Sequence, residues 1–585
     1  MALPVTISIT CGGTSLAHGG DYSSLTLTQD LFGAHVLTIT APFDQVESTR
    51  TPFFAKAPDR LLGQPVAAQL QAVPGFGPAQ QKPLLFKGMV TGLSTGQDSD
   101  QTGSVQVTVH STDYLLTDGL QRRTFRQQTL RQIFAAVLQP YDVPHQLKPH
   151  HTAPLPYVVQ YQECNFDFLS RLAATYGEWF YSDGRTLRLG PPPAEAEIAF
   201  AADGTYNRFS FGLALRPTQA KLYGYDYRKH QHTSATTANQ AVAGLQRNQY
   251  GRLVLEQSDK MFPHPAHALA ESPDPTTALL TAEAKRLKGQ LAASLVSVQG
   301  QSENPALTLG SVVNITGKGL GSNHAGTDSF GIYRLTALTH SVDVRGNYRN
   351  AFTAIPHQLD EPPVSPHHNA PAGTPEPAEV IDGKDPDNLG RIRVRYPWPV
   401  AAPQDAETDW LRVMTPYSGA GKGQLFTPEV GSQVMVAYAH GLAEQPYVQG
   451  NLFHGQNEAG AKYTHNGGEV KGFQTMAGNR ITFHDKKGAE KIVITSGKQK
   501  DTAIEISFKG KGKIEIKTQG DLSFTAGQNV SIQAGKKLSL KAGELTMQAK
   551  SIQGKADSTV ELAAASAELK MAGAATQVKG SLTQG

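Results

Sequence analysis

At 585 residues and about 150 residues per domain, the chain has room for three or four domains, and its 39% hydrophobic and 18% charged content excludes wholesale disorder. Lys and Arg total 53 against 50 Asp and Glu, a net +3, too small an excess over this length for a general polyanion binder. No apolar run approaches the roughly 18 residues that a membrane span needs, while 57 Gly and 36 Pro indicate many turns and few long helices.

In chain order, Val5, Ile7 and Ile9 alternate with polar residues, which predicts a first β-strand. The same opening segment has neither a basic stretch nor a continuous apolar core, so no signal peptide is expected. Cys11 and Cys164 are the only cysteines; two make neither a disulfide framework nor a zinc site, and point to folding in a reducing cytoplasm. Across residues 1–355 strand patterns dominate, at Ser24–Thr28, His35–Thr40, Leu84–Val90, Ser104–His110, Ser311–Thr316 and Gly331–His340. Helices are predicted at Thr129–Leu138, from the spacing of Leu130, Ile133, Phe134, Val137 and Leu138, at Phe166–Tyr176, stopped by Gly177, and at Asp274–Leu295. The whole region reads as mixed β/α.

Residues 356–378 hold seven prolines and little to bury, the composition of a linker. Residues 379–455 read as a small all-β barrel of the OB-fold type, with strands at Gly390–Arg395, Leu411–Thr415, Gln433–Tyr438 and Pro446–Gly450. Residues 456–585 contain a repeat. Two apolar residues, i and i+2, recur every eight positions: Ile506/Phe508, Ile514/Ile516, Leu522/Phe524, Val530/Ile532 and Leu538/Leu540. Glycine keeps the same step at Gly527, Gly535 and Gly543, and the phase slips by one at Leu545/Met547. Each unit offers one short strand with two apolar side chains and a turn, which cannot bury them alone. Three chains wrapped into a three-sided β-prism would bury them and pair the strand edges; an antiparallel meander is the ordinary alternative. A homotrimeric needle is therefore expected, with those ten residues as its core.

Candidate chemistry is weak. Gly92-Leu-Ser-Thr-Gly matches a nucleophile elbow in sequence but lies in a polar hairpin, not between a strand and a helix. The histidine pairs His150/His151, His230/His232, His264/His267 and His367/His368 fit no zinc spacing. Asp382-Gly-Lys-Asp-Pro-Asp breaks the EF-hand ligand pattern at Leu389 and reads as a turn. The glycine-rich stretches at 317–321 and 419–423 open no helix, and the needle lysines alternate with acids, as on a solvated face. No catalytic residue, cofactor or metal is expected, and no nucleic acid as partner.

The block Tyr161-Gln-Glu-Cys-Asn-Phe-Asp-Phe-Leu-Ser-Arg-Leu-Ala-Ala-Thr-Tyr-Gly resembles the Tyr-x-Glu-Ser-Asp-x-x-Phe-Leu-x-Arg-Leu-x-x-x-x-Gly signature of VgrG proteins, the spikes of type VI secretion systems related to phage-tail hubs and needles. Gly390-Arg-Ile-Arg-Val-Arg-Tyr-Pro-Trp, Trp410-Leu-Arg-Val, Thr427-Pro-Glu-Val-Gly-Ser-Gln-Val-Met-Val-Ala-Tyr, Gln445-Pro-Tyr-Val-Gln-Gly-Asn-Leu-Phe and Asn479-Arg-Ile-Thr-Phe-His-Asp resemble that family's barrel and needle in the same order. The chain departs from the signature at Cys164-Asn165, a pair expected to cap the helix that follows. The resemblance implies a phage-hub-like N-terminal region, an OB-fold neck and a trimeric needle. It also implies a non-enzymatic spike, made in the bacterial cytoplasm and ejected by sheath contraction. Its partners would be an Hcp-like tube protein, baseplate proteins, a PAAR-type tip protein with effectors, and transiently the target membrane. Met571, Val578 and Gly580 would seat the tip. The spacing between Phe453 and Asn479, and the octads running on to Val578, leave no room for an added enzyme domain. An extracellular contractile injection system is the alternative setting, and an effector-bearing hydrolytic tail protein the remote alternative.

Overall fold

A computed structural model describes residues 3–18, 22–47, 53–74, 82–97, 103–194, 196–204, 206–238, 240–271, 275–319, 326–457, 460, 463, 467–498, 501–561 and 580. Strands predominate over helices in them, and the chain divides into two compact units, Met1–Gly460 and Ala461–Gly585.

In the first unit eight strands close on themselves. Around the ring they run Leu3–Cys11, Pro65–Ala72, Leu84–Thr95, Ser104–Ser111, Val36–Pro42, Ser24–Asp30, Thr327–Asp343 and Asn347–Pro356, each antiparallel to the next, and the last pairs with the first. The alternation seen in sequence sets their faces: Val5, Ile7, Ile9, Leu25, Leu27, Leu37, Ile39, Val107 and Val109 fill the interior. Closure leaves no free edge within the ring. The last two strands continue past it. Their far ends pair with Val312–Lys318 and Val296–Ser302, flanked by Ile198–Ala202 and Arg208–Leu213. These cover a second core containing Trp179, Val298, Ile315, Leu335 and Phe352.

A polar layer separates the two cores. Along one strand Leu25 and Leu27 belong to the first core and Leu31 to the second, with Gln29 between them; Leu338, His340, Val342 and Tyr348, Asn350, Phe352 repeat the pattern. Hydrogen bonds link the layer from side chain to side chain, with His35 Nε2 and Asn350 Oδ1 left unpaired. Gln29 Nε2 meets His35 Nδ1 at 3.0 Å, and Gln29 Oε1 meets His340 Nε2 at 3.2 Å. Tyr348 OH lies 2.6 Å from His340 Nδ1 and accepts from Asn350 Nδ2 at 2.9 Å. This pattern requires a neutral His340 with its proton on Nε2. Burial lowers His35 to about 4 and His340 to about 3, the neighbouring imidazole adding to the second shift.

Residues 112–194 add a smaller α/β layer. The hairpin of Gln121–Gln128 and Leu155–Glu163 turns Phe125 and Val158 toward the helices Leu130–Leu138 and Asn165–Thr175, and Tyr157, Val159 and Tyr161 toward the barrel. The first helix starts where its spacing predicts: Thr129 caps it and Gln132 returns the bond. The predicted Asp274–Leu295 helix runs Thr277–Ala292. A further helix, Gln249–Met261, capped by Asn248, escapes the sequence patterns because its buried stripe holds only Gly251, Val254, Leu255 and Ser258.

The barrel sheet runs in the order Arg393–Arg395, Glu376–Asp382, Gln433–Tyr438, Pro446–Leu452. The predicted strand Leu411–Thr415 contributes only the bridges Ile392↔Leu411 and Val413↔Val448. The first barrel strand begins at Glu376, inside the segment expected to be a linker. That segment is tethered along its path. Leu359 sits in the second core, Trp179 Nε1 donates to the Asp360 carbonyl at 2.7 Å, and Gly373 N donates to the Gly441 carbonyl at 2.8 Å. Its prolines lack the N–H that burial would have to satisfy. Gly373 lies against the Tyr438 ring, where a Cβ would come within 2.4 Å of the ring.

The second unit opens as an antiparallel meander of Val470–Gln474, Asn479–His484, Lys491–Ser496, Ala503–Ser507 and Lys513–Lys517. Gly510 and Gly512, at φ +64° and +80°, make the last turn. Residues 518–561 have no strand within the chain.

The polar layer makes stability acid-sensitive. His35 and His340 have folded pKa values below the unfolded value near 6.5. The unfolded chain therefore binds protons first, and stability present above about pH 6.5 is lost as pH falls toward 4. Urea unfolding should lose up to roughly 2–3 kcal/mol per pH unit in that window from these two groups. Replacing both by Gln should flatten the slope; an unchanged slope would remove the layer as its source.

Candidate functional site: a charged clamp and an uncovered apolar stripe

The signature block folds into a clamp between the helical layer and the barrel. Arg171, 3% exposed, uses its whole guanidinium fork. Nε donates to Glu163 Oε1 at 2.7 Å, Nη2 to Glu163 Oε2 and the Val159 carbonyl at 2.9 Å each, and Nη1 to Glu444 Oε1 at 2.9 Å. Glu163 and Arg171 lie at the two ends of one helical approach; Glu444 comes from the barrel. Burial works against the guanidinium charge, but Glu444 and Glu163 outweigh it and hold the group above its ordinary range. Burial also raises Glu444.

Tyr161 explains the aromatic position of the signature. Its ring packs edge-on to Trp398 and Tyr438, with centroids 6.0 and 5.7 Å away, under the Arg122 guanidinium at 4.6 Å. Glu376 then gathers Trp398 Nε1 and Tyr438 OH at 2.8 Å each and Arg122 at 3.3 Å. Glu407 binds Arg126 at 2.7 Å, Arg393 at 3.0 Å and Arg395 at 3.1 Å. The Asp382–Asp387 stretch is a turn, as its spacing predicts, and it is held by Arg391. That buried guanidinium reaches Asp385 and Asp387 at 2.6 Å and Tyr227 OH at 3.0 Å, tying the barrel to the hub. Hydrogen bonds from Arg391 hold the Asp385 carboxyl well below the usual carboxylate range.

The departure at Cys164-Asn165 resolves differently from expectation. Cys164 alone is the N-cap: its Sγ accepts from Asp167 N at 3.4 Å and donates to Asp167 Oδ2 at 3.1 Å. Asn165 is the first helical residue and accepts from Arg123 Nη2 at 2.6 Å through its side chain. Burial pushes the Cys164 thiol up to about 11.

In the second unit the meander gathers its isoleucines and phenylalanines onto one face. Phe473, Ile481, Ile494, Ile504 and Ile516 form one cross-strand row, and Phe483, Ile492, Ile506 and Ile514 the next. The opposite face carries Thr482, Val493, Glu505 and Glu515. Register places Ile504 opposite Ile516; Phe508 lies just beyond its strand. The rows stay open, with Ile504 38% and Ile514 70% exposed. Leu522, Phe524, Val530, Ile532, Leu538 and Leu540 continue the octad beyond the meander, each more than half exposed. Gly580 is exposed, while Met571 and Val578 lie outside the described residues. Ser94 lies within the strand Leu84–Thr95 rather than in the hairpin loop expected of it, and donates to Gln106 Oε1 at 3.4 Å. Among the described residues no group of three or more His, Cys, Asp or Glu is placed to hold a metal.

The arrangement has known relatives. The phage tail baseplate hub (GPD) family profile matches residues 54–344, and the type VI secretion system/phage-baseplate injector OB domain matches residues 376–453. Type VI secretion system spike protein VgrG4b of Pseudomonas aeruginosa is 25% identical over 478 residues, covering 72% of this chain and 55% of that protein. The chain belongs to the VgrG-type family. VgrG3 of Vibrio cholerae is 24% identical over 453 residues, 72% of this chain and 43% of that one. This VgrG-type chain thus spans about half the length of the curated relatives it matches. A chain of the Francisella PdpA-VgrG complex shares the fold, with a TM-score of 0.57, 8% identity and 88% of each chain covered.

The clamp yields two predictions. Arg171→Met strands two buried carboxylates and should cost about 3–5 kcal/mol. Faster hydrogen exchange should appear in both the barrel strands and the 155–175 segment; exchange confined to one of them would break the proposed linkage. Cys164→Ser restores an oxygen cap and should raise stability by up to about 1 kcal/mol, read from the thermal midpoint; a lower midpoint would show that the thiol is the better fit.

Proposed function

We propose that the chain is the homotrimeric, non-enzymatic spike of a type VI secretion machine. The observation that carries this reading is the octad of paired apolar residues from Ile506 to Leu540, exposed in the single chain from Phe508 onward and following a hub and an OB domain in spike order. Covering such side chains is worth roughly 1.5–3 kcal/mol each when complete. The 518–561 backbone finds no strand partner in its own chain, so neighbouring copies would satisfy both needs at once. Three chains, each supplying one face of every layer, would make a stiff prism with a continuous apolar interior.

The hub would cap an Hcp-like tube and meet the baseplate, the barrel would be the neck, and the needle would transmit the axial push of sheath contraction through a target membrane. Its far end, around Met571, Val578 and Gly580, would seat a PAAR-type tip with effectors. The Francisella VgrG is recorded in complex with PdpA, which supports a spike that carries other proteins.

Light scattering after size exclusion should give close to three times 62.7 kDa. Ile532→Asp would bring three charges together in the needle and should abolish the trimer. A fully assembled, thermally stable Ile532→Asp protein would refute the prism.

A further inference from the structure

Three copies around one axis meet through two different surfaces each, one toward the copy ahead and one toward the copy behind. The first unit carries such a pair of surfaces, separate from the octads. One is concave. A cleft of about 570 Å³ opens between the hub strand Ala220–Asp226 and the barrel, walled by Tyr223, Tyr225, Tyr227, Trp410 and Tyr447. Arg412 lines it, its guanidinium 4.8 Å from the Tyr227 ring centre. Tyr223 is 46% exposed, so the aromatic wall is uncovered in the single chain.

The other surface is convex. Just after Met414 the barrel chain leaves the sheet and returns at Gln433. Within this loop Ser418–Gly419 pairs with Lys422–Gly423, and the Thr415 hydroxyl donates to the Gln424 carbonyl. The hairpin at 415–424 is therefore ordered by its own bonds, and the return segment that follows it turns its aliphatic side chains outward: Leu425 is 72% and Val430 67% exposed. An ordered loop that displays large aliphatic side chains is built to be covered. Charge agrees with shape. The loop brings Lys422 and Glu429, the cleft Asp409 and Arg412, and none of the four has an ion pair among the described residues.

We propose that the 415–431 loop of each copy seats in the aromatic cleft of the next, with Leu425 and Val430 on the rings and Glu429 toward Arg412, so that the first units close a ring of their own. The inference rests on the trimer reading and adds a second contact to it, independent of the needle.

Oxidative cross-linking of the full chain tests it. Leu425→Cys and Tyr223→Cys chains are co-expressed, purified together and oxidised; Cys11 and Cys164 are buried and stay out of the reaction. A cross-linked pair should form in the mixture and in neither variant alone. The chain carrying both substitutions should give a covalent trimer. Glu429→Arg or Arg412→Glu should each lower the cross-link yield roughly threefold, as for an exposed ion pair, and the two together should restore it. A trimeric mass with no cross-link in the mixture overturns this contact and leaves the needle trimer standing, as does a link that stays within one chain. A monomeric mass overturns both.

Discussion

The antiparallel pair Thr327–Asp343 and Asn347–Pro356 is the element on which the first unit depends. It completes the eight-strand ring and also carries the second sheet, so both cores share one stretch of backbone. Its partners lie some 300 residues earlier, at Leu3–Pro4 and Ser24–Asp30. Neither core can close until this late hairpin arrives, and the intervening layers must fold as insertions that leave its place open. Such non-local closure is slow for entropic reasons, and it makes the hub one cooperative body.

The barrel is attached by chemistry of a different kind. Arg171, Arg391 and the Glu376 and Glu407 clusters put ionised groups at a seam that also contains Tyr161, Trp398 and Tyr438. Buried ion pairs of this sort add little net stability over apolar packing, but removing one partner is costly. Their use here is orientational: each guanidinium fork donates to carboxylates in a narrow range of angles, and forks at several points fix the barrel against the hub in rotation as well as in distance. Such a joint resists sliding of the barrel over the hub better than a purely apolar contact would.

Much of the fold is legible in sequence where alternation or helical spacing is strong, as at Val5/Ile7/Ile9 and Leu130–Leu138. The signature block could be recognised, and its helix placed, without revealing that Glu163 and Arg171 form one salt bridge or that Glu444, some 270 residues away, completes it. Long-range partners of a charged residue leave no periodic trace. The same holds for Arg391 and Tyr227. The segment between hub and barrel is the opposite case: proline-rich composition describes a backbone with few donors, and such a backbone suits an exposed tether and a packed strap equally. In the second unit the spacing of apolar pairs is plain to read, yet it pairs Phe508 with Ile506 where the strand Ala503–Ser507 holds Ile504 and Ile506, because i, i+2 alternation runs through 504, 506 and 508 alike.

The polar layer between the hub cores has a consequence for errors in strand pairing. Alternation of inward and outward residues penalises a slip of one position, since every side chain would change face. A slip of two positions keeps all faces correct and would pass that test. In the observed register Gln29 stands opposite Leu338 and His340 opposite Leu27, and the Gln29 amide meets the His340 imidazole diagonally at 3.2 Å. Moving Ser24–Asp30 by two so that Leu25 came opposite His340 would carry Gln29 away from that imidazole and leave the two groups without each other. His340 and Asn350 stand directly opposite each other and Gln29 two residues along, so the layer works as an alignment mark: it costs some apolar burial and penalises a slip that hydrophobic patterning does not see.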